Sequence, residues 1–534
     1  MRHLLLRRGR QLTAFVLLLV LAAVGCTGDD RSSPEGAATT EGPPRRIPPG
    51  GELVIGLEAE VRTLAPGEVA LPSEVTIALG IYDPLLTYVD GKVEPFLARS
   101  IESNDDLTEY EIDLREDVSF HDGTPLDAHA VVEHFERLKD PATGCSCFAK
   151  VAQVASMETP DGPEGTRVVF NLIEPDVTFP DLLAGPVGYI ESPAAAASGM
   201  SFEIDGVGTG PFELQSNAGG ERVVLVANRD YWGTDARGDQ LPYLDRVTFV
   251  RSSGSGDVLA ELENGDVDLF QTTDSTVIKR AEAAGFATDK TSTSGSLMIL
   301  MNNSKPPFDD VRARRALAHA LDKDLINELA YDGVAVPSYS GFGLETAYFN
   351  PDAGTPGYDR GRAVELVDEL HGLEFTIECP PTPETQVVLP IIEQLGSAVG
   401  MTITVEEPDE RTFVNRMYGK DGDYEAACFR NPDFTEPDAV RHGLTTDDPG
   451  NLVFYSNPEV DQLLLEARQT IDFERRKERY DQVQELLAAD VPFVTLVYDV
   501  FASVYDTQRV GPPPDGEPGA RGAIKPGLLF AMDG

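Results

Sequence analysis

The sequence predicts an α/β protein with at least two sheet-centred lobes. Strand-like and helix-like segments alternate through the second half of the chain, the pattern of strands covered by intervening helices. The first half carries several short strands of its own, with polar and apolar residues alternating. The chain's 534 residues, 41% of them hydrophobic, exceed the needs of one ordinary domain and can fill several cores. No internal repeat is evident.

Taken in order, Gly51 to Leu57 (GELVIGL) reads as a first strand, and Glu74 to Tyr82 as a helix leading into a turn at Asp83-Pro84. Tyr110 to Glu116 alternates as a strand should. The segment LDAHAVVEHFERL follows a turn at His121–Pro125 and places Val131, Phe135 and Leu138 on one helical face. Arg167 to Ile173, Arg222 to Asn228 and part of Leu241 to Arg251 are strands, the last followed by the helix DVLAELENG. The Ser-Gly runs Ser252–Gly256 and Ser292–Ser296 read as loops. Leu297 to Asn302 is a strand and Asp309 to Leu329 one long charged helix, whose early Asp309 and Asp310 complement its dipole. Glu374 to Cys379 and Met401 to Glu406 are strands flanking the helix TQVVLPIIEQLGSAVG. Tyr424 to Phe429 is a buried strand, Val460 to Ala489 a long helical span, and Phe493 to Tyr498 a final strand.

The N-terminus, MRHLLLRRGRQLTAFVLLLVLAAVGC, is a basic segment followed by an apolar run from Leu12 to Val24. A run this short suits an export signal; a stable span needs about 20 apolar residues. Its ending, Ala23-Val24-Gly25-Cys26, resembles a bacterial lipobox, which implies cleavage before Cys26 and lipidation of that residue. Residues 1–25 are then a signal peptide. Residues 26–50, rich in Gly, Pro, Ser and Thr, form a flexible tether. The formal net charge of −47 argues against nucleic acid or anionic lipid as a partner. Beyond Cys26 the cysteines are Cys145, Cys147, Cys379 and Cys428, an even number that makes disulfides plausible in an exported chain. No second pair completes the GCSC motif as a zinc site, and His129 and His134 do not share a helical face, so neither metal nor cofactor is expected.

Catalytic constellations are thin. There is no Gly-x-Ser-x-Gly elbow, His-Glu-x-x-His, Walker loop or dinucleotide fingerprint. Carboxylate pairs are too common in so acidic a chain to single one out. An exported α/β protein of this kind is expected to bind rather than to catalyse.

Several segments carry a family resemblance. IYDPLLTYVDGKVEPFLARSIESNDDLTEYEIDLREDVSFHDGTPLDAHAVVEHFERL resembles a signature region of the extracellular solute-binding proteins of peptide and nickel ABC importers. GTGPFELQS, VANRDYWG, LMILMNNSKPPFDDVRARRALAHALDKDLI, VGMTITVEE and VPFVTLVY are similar to later blocks, in the same order, so that the resemblance covers Gly51 to about Tyr498. It implies a two-lobed periplasmic-binding-protein-like fold with a hinge and an extra subdomain inserted in lobe one. Carried over, lobe one takes residues 51–84, 204–294 and 496–534, the inserted subdomain 85–203, and lobe two 295–495. Ligand would be trapped between lobes by hinge closure, with a peptide adding as a strand through main-chain hydrogen bonds.

The resemblance also implies site residues. The family's Trp-x-x-Asp-Tyr-x-x-Pro pattern, whose Asp meets a peptide's α-amino group, falls on Asp433-Phe434-Thr435-Glu436-Pro437, with Arg430 at the Trp position. Phe429 could supply an aromatic face one residue earlier, though a strand should turn it to the opposite side. Glu436 and Asp438 are rival carboxylates. On lobe one, aligning Leu64-Ala65-Pro66 with the family's Leu-Asp-Pro puts the peptide-facing backbone near Ala70, Leu71 and Pro72. Dipeptide-binding relatives carry an Arg before a lobe-two helix for the ligand carboxylate. Here TPETQVVLP offers Gln386 and no Arg, which favours longer peptides. Arg430 could take an acidic side chain or a carboxylate, although a salt bridge is the commoner fate of an Arg. Trp232 lies in a Tyr-Trp-Gly element read as lobe-one packing. Cys379 and Cys428 fall in two strands of the same lobe, and a bridge between them is expected; Cys145 and Cys147 could bridge through a short, strained loop.

The expectation is a monomeric, non-enzymatic lipoprotein, anchored outside the cell membrane, that passes peptides to an ABC permease with cytoplasmic ATPases. Within the family, the alternative ligands are nickel chelates, haem, opines or oligosaccharides. Outside it, the alternative is a sensory or adhesion lipoprotein.

Overall fold

The computed structural model describes residues 47, 49–89, 91–143, 145–235, 237–252, 258–344, 346–419, 422–431, 436–511 and 525–532. The export signal, Cys26, most of the tether, the Ser-Gly run from residue 253 and the pair Asp433-Phe434 lie outside the described residues.

One large sheet runs through the molecule. Its strands are β1 (Glu52–Leu57), β2 (Phe212–Asn217), β3 (Arg222–Ala227), β4 (Arg246–Arg251), β5 (Leu269–Thr272), β6 (Ala287–Met301), β7 (Leu373–Glu378), β8 (Met401–Glu406), β9 (Ala426–Asn431) and β10 (Phe493–Tyr505), in the spatial order β8-β7-β9-β6-β10-β5-β1-β4-β3-β2. The short strand Val336–Pro337 adds to β10. Two parallel sets lie on opposite sides of the β6–β10 pair: β4-β1-β5 in one lobe and β8-β7-β9 in the other. The antiparallel pair β6 and β10 joins them. Ala287 to Ser292 pairs with Tyr505 to Val500, and Ser296 to Leu300 pairs with Tyr498 to Phe493, with a register shift between Ser292 and Ser296.

That shift corrects the reading of Ser292–Ser296 as a loop. The run is the middle of β6, held because β10 gives it a continuous neighbour; the irregular pairing sits where Gly295 interrupts the Ser-Thr alternation. β10 likewise runs past the expected end at Tyr498. It is buried along most of its length, and Asp499 is a charge in the middle of an apolar run.

Two long helical expectations break at capping aspartates. Residues 309–329 form α2 (Val311–Ala320) and α3 (Lys323–Ala330), with Asp322 accepting the Leu325 N–H at 3.0 Å. Residues 460–489 form α5 (Pro458–Arg468) and α6 (Phe473–Asp490), with Asp472 accepting the Arg475 N–H at 2.9 Å. An aspartate side chain satisfies orphan N–H groups at a helix start, so it restarts a helix where a periodicity count sees one continuous span. The remaining helices used below are α1 (Pro72–Ile81), which follows β1, and α4 (Pro383–Ser397), which follows β7.

The second lobe's sheet is covered on one face by a core that includes Phe308, Leu317, Phe375 and Ile392, and on the other by one that includes Phe342, Tyr480 and Leu487. Leu53, Ile55, Ile77, Phe249 and Leu269 pack in the first lobe. A separate core, built on Tyr110, Ile112, Phe135, Phe170 and Phe179, lies against a four-stranded antiparallel sheet between residues 98 and 172. Asp83 is buried where this unit joins the first lobe. It accepts hydrogen bonds from Trp232 Nε1 (2.8 Å), Tyr231 Oη (3.1 Å) and Thr209 Oγ1 (3.1 Å). Burial still pushes its carboxyl up to about 7. Arg115 and Phe96 close on the Trp232 ring at 4.4 and 5.2 Å, so the sole Trp packs across this junction as well as inside the first lobe. The same unit meets the second lobe through Arg468, which reaches Asp176 at 3.2 Å and Asp438 at 3.3 Å.

Candidate ligand-binding site

The two parallel sets present their carboxyl ends to the same stretch of β10. Thr272, the end of β5, pairs with Ala502. Asn431, the end of β9, pairs with Ser296, which pairs with Tyr498. In α/β sheets, ligands bind in crevices outside the carboxyl ends of parallel strands, because connecting loops diverge there and helix starts offer unpaired N–H groups. The candidate site is therefore the crevice over residues 498–502.

On the second-lobe wall, Arg430 is the penultimate residue of β9. Its Nη1 donates to Asp499 Oδ2 on β10, and its Nη2 donates to Glu384 Oε2 in the first turn of α4. Tyr331 Oη donates to the other Glu384 oxygen at 2.6 Å. Burial works against the Arg430 cation, but Asp499 and Glu384 together raise its pKa, so it stays charged. Burial, reinforced by Glu384, raises the Tyr331 phenol, which stays neutral. Arg430 is thus engaged by carboxylates of its own chain. The start of α4, where dipeptide-binding relatives would carry an arginine, supplies an acid instead.

Phe429 faces away from this triad, as the alternation of a strand requires. It lines an apolar cavity of about 230 Å³ on the other face of the sheet, beside Met298, Leu300, Phe342 and Phe493. Arg430 and Phe429 therefore do not share one surface. The rival carboxylates are also committed: Glu436 to Arg476, and Asp438 to Arg468 and Arg441.

On the first-lobe wall, Glu58 follows β1 directly and accepts a hydrogen bond from Thr272 Oγ1 at the end of β5. Burial, with Asp274 adding repulsion, raises its carboxyl above the ordinary range. The segment Ala70-Leu71-Pro72 enters α1. The Ala70 and Leu71 N–H groups both donate to Glu74 Oε2 at 3.0 Å. Glu74 is buried, which would raise its pKa; Arg62 and these amides outweigh that and lower it. Those two amides are occupied, and the Leu71 carbonyl accepts the Val75 N–H at 2.9 Å, so little of this backbone is left for a strand-like ligand. The sulfurs of Cys379 and Cys428, at the ends of β7 and within β9, stand 1.97 Å apart, and those of Cys145 and Cys147 stand 1.92 Å apart.

Sequence reasoning missed Glu58, Tyr331, Glu384 and Asp499. A signal was present for two of them. Asp499 interrupts an otherwise uncharged strand, and Glu384 stands in the stretch where dipeptide-binding relatives carry an arginine.

The family model "Bacterial extracellular solute-binding proteins, family 5 Middle" matches residues 92–451. The chain is 29% identical over 481 residues to the "Probable D,D-dipeptide-binding periplasmic protein DdpA" of Escherichia coli K12, covering 83% of this chain and 88% of that one. It is 27% identical to the "Glutathione-binding protein GsiB" of Escherichia coli O1:K1 / APEC, covering 86% and 91%. The crystal structure of the ABC transporter substrate-binding protein CtaP from Listeria monocytogenes superposes with a TM-score of 0.79 at 24% identity, over 91% of this chain and all of that one, which places the two chains in one two-lobed fold. The chain belongs to the bacterial extracellular solute-binding proteins, family 5.

Proposed function

We propose that this chain is the lipid-anchored receptor of an ABC importer, capturing peptides between its lobes and delivering them to a membrane permease with cytoplasmic ATPases. The observation that carries the reading is the convergence of two parallel strand sets on residues 498–502, a stretch where the lobes are joined by continuous strands. A crevice over a two-stranded joint can close by small rotations spread along β6 and β10. Relatives named for D,D-dipeptide and glutathione binding support a peptide ligand. Lobe limits at residues 51–84, 204–294 and 496–534 for one lobe and 295–495 for the other, with 85–203 inserted, belong to this reading. So do the anchor at Cys26 and the oligopeptide preference.

Asp433 is assigned the peptide's α-amino group. That cation loses water as the lobes close, and desolvation is costly without a paired anion. Asp433→Asn keeps the shape and removes the charge. Truncating one partner of a buried charge pair costs roughly 2–5 kcal/mol, so affinity should fall about 30-fold or more. An N-acetylated peptide should bind the original protein poorly and lose much less in the variant. Calorimetry on the two proteins and two peptides completes a cycle. Coupling near zero would remove Asp433 from the site.

A further inference from the structure

This inference rests on the reading that the crevice takes a peptide. We propose that Glu384 and Asp499 set its charge preference: they hold Arg430 between two carboxylates, one acid more than the base they share, so the crevice favours peptides carrying a basic side chain over acidic ones.

Each end of the Arg430 guanidinium donates to a different carboxylate. Glu384 has both oxygens in use, one on Arg430 and one on the Tyr331 hydroxyl. A ligand carboxylate that approaches Arg430 meets two acids already bound to it, which face it as like charges. A ligand cation meets both carboxylates beside Arg430. The three side chains are 46%, 25% and 22% exposed for Arg430, Glu384 and Asp499, so they hold one another while remaining open to solvent. The opposite wall does not offset the excess. Glu58 follows β1 with Asp274 nearby, Arg62 is matched to Glu74, and Arg251 at the end of β4 is matched to Glu221 and Glu60. Asp499 is also the one charge on β10, a strand whose burial would otherwise select against it. Water exclusion on closure strengthens such a preference, because the effective dielectric falls.

The test is calorimetry with trialanine and its analogues carrying Lys or Glu at each position, against the full chain and the variants Glu384→Gln, Asp499→Asn, their double and Arg430→Gln. Folding of each variant is checked by circular dichroism; if the double variant fails to fold, Asp499→Asn alone is decisive. At the position facing the triad, the original protein should bind the Lys peptide about tenfold or more tighter than the Glu peptide. The double variant, with Arg430 released, should reverse that order, and Arg430→Gln should steepen it. A Lys-to-Glu ratio within twofold at every position overturns the proposal, as does an unchanged ratio in the double variant, while the peptide reading survives. If no peptide of the set binds the original protein, both fall.

Discussion

Replacing Arg476 by Met leaves a carboxylate buried without its partner. The Arg476 side chain is 5% exposed and that of Glu436 13%. Arg476 donates to both Glu436 oxygens, to Tyr348 Oη at 3.0 Å and to Tyr480 Oη at 3.3 Å, and lies over both tyrosine rings at 5.0 and 5.4 Å. Methionine keeps most of the stem packing and removes the charge and its donors. Breaking a buried ion pair from one side costs about 3–5 kcal/mol, whereas replacing both partners by apolar groups is often neutral. Arg476→Met should therefore lose about 3–5 kcal/mol in urea unfolding at pH 7.5, and Arg476→Met/Glu436→Leu should recover most of it. The loss should depend on pH. Burial already raises the Glu436 carboxyl, with Arg476 pulling the other way. Without the arginine, Glu436 takes up a proton on folding, so the variant's stability declines as pH rises and its deficit is smaller at pH 5 than at pH 7.5. Unfolding followed by far-ultraviolet circular dichroism at both pH values reads all of this. A deficit below about 1 kcal/mol, or a double variant no better than the single, would show that the pair is not a buried ion pair in solution.

Three further outcomes follow from the same structure. Burial, with Glu436 adding repulsion, pushes the Asp181 carboxyl up to about 8. Its contribution to stability is complete below the unfolded aspartate's pKa of about 3.9 and is lost as pH rises through 8. Asp181→Asn should flatten the fall in melting temperature between pH 5 and pH 8.5, and an unchanged slope would remove Asp181 from this role. Cys379 and Cys428 should be found bridged by non-reducing peptide mapping. Their separation of 49 residues gives about 4 kcal/mol of stabilisation in the chain-entropy model; free thiols or another pairing would contradict this. Cys26→Ser should abolish lipidation and release the protein to the medium, since acyl chains are the only anchor proposed. Unchanged detergent-extractable membrane association would argue against the lipid anchor.

Much of the fold was legible because its strands are marked locally. GELVIGL and FTIEC are short, apolar-rich and bounded by turn residues, and each forms a strand. What misled was local polarity under tertiary control. Ser292–Ser296 has the composition of a loop, yet it is a strand because β10 pairs with it on both sides of a register shift. The segment 309–329 reads as one long helix and 460–489 as a long helical span because a periodicity count does not register a capping aspartate inside a charged segment. The site was less legible. Arg430 was found through its position in a motif, but its partners lie 46 and 69 residues away in the chain. Only the closing of the sheet brings β9, β10 and the start of α4 together. The occupied amides of Ala70 and Leu71 were equally hidden, since they depend on which way the buried Glu74 turns.

Native mass spectrometry of the protein purified from the cells that make it tests the central claim most directly. A receptor that closes over peptides should carry a set of bound masses, and fragmentation should resolve them into peptide sequences. Recovery of a metal chelate, a porphyrin, an opine or an oligosaccharide in place of peptides would contradict the account, as would protein that stays empty and is not shifted by added peptides.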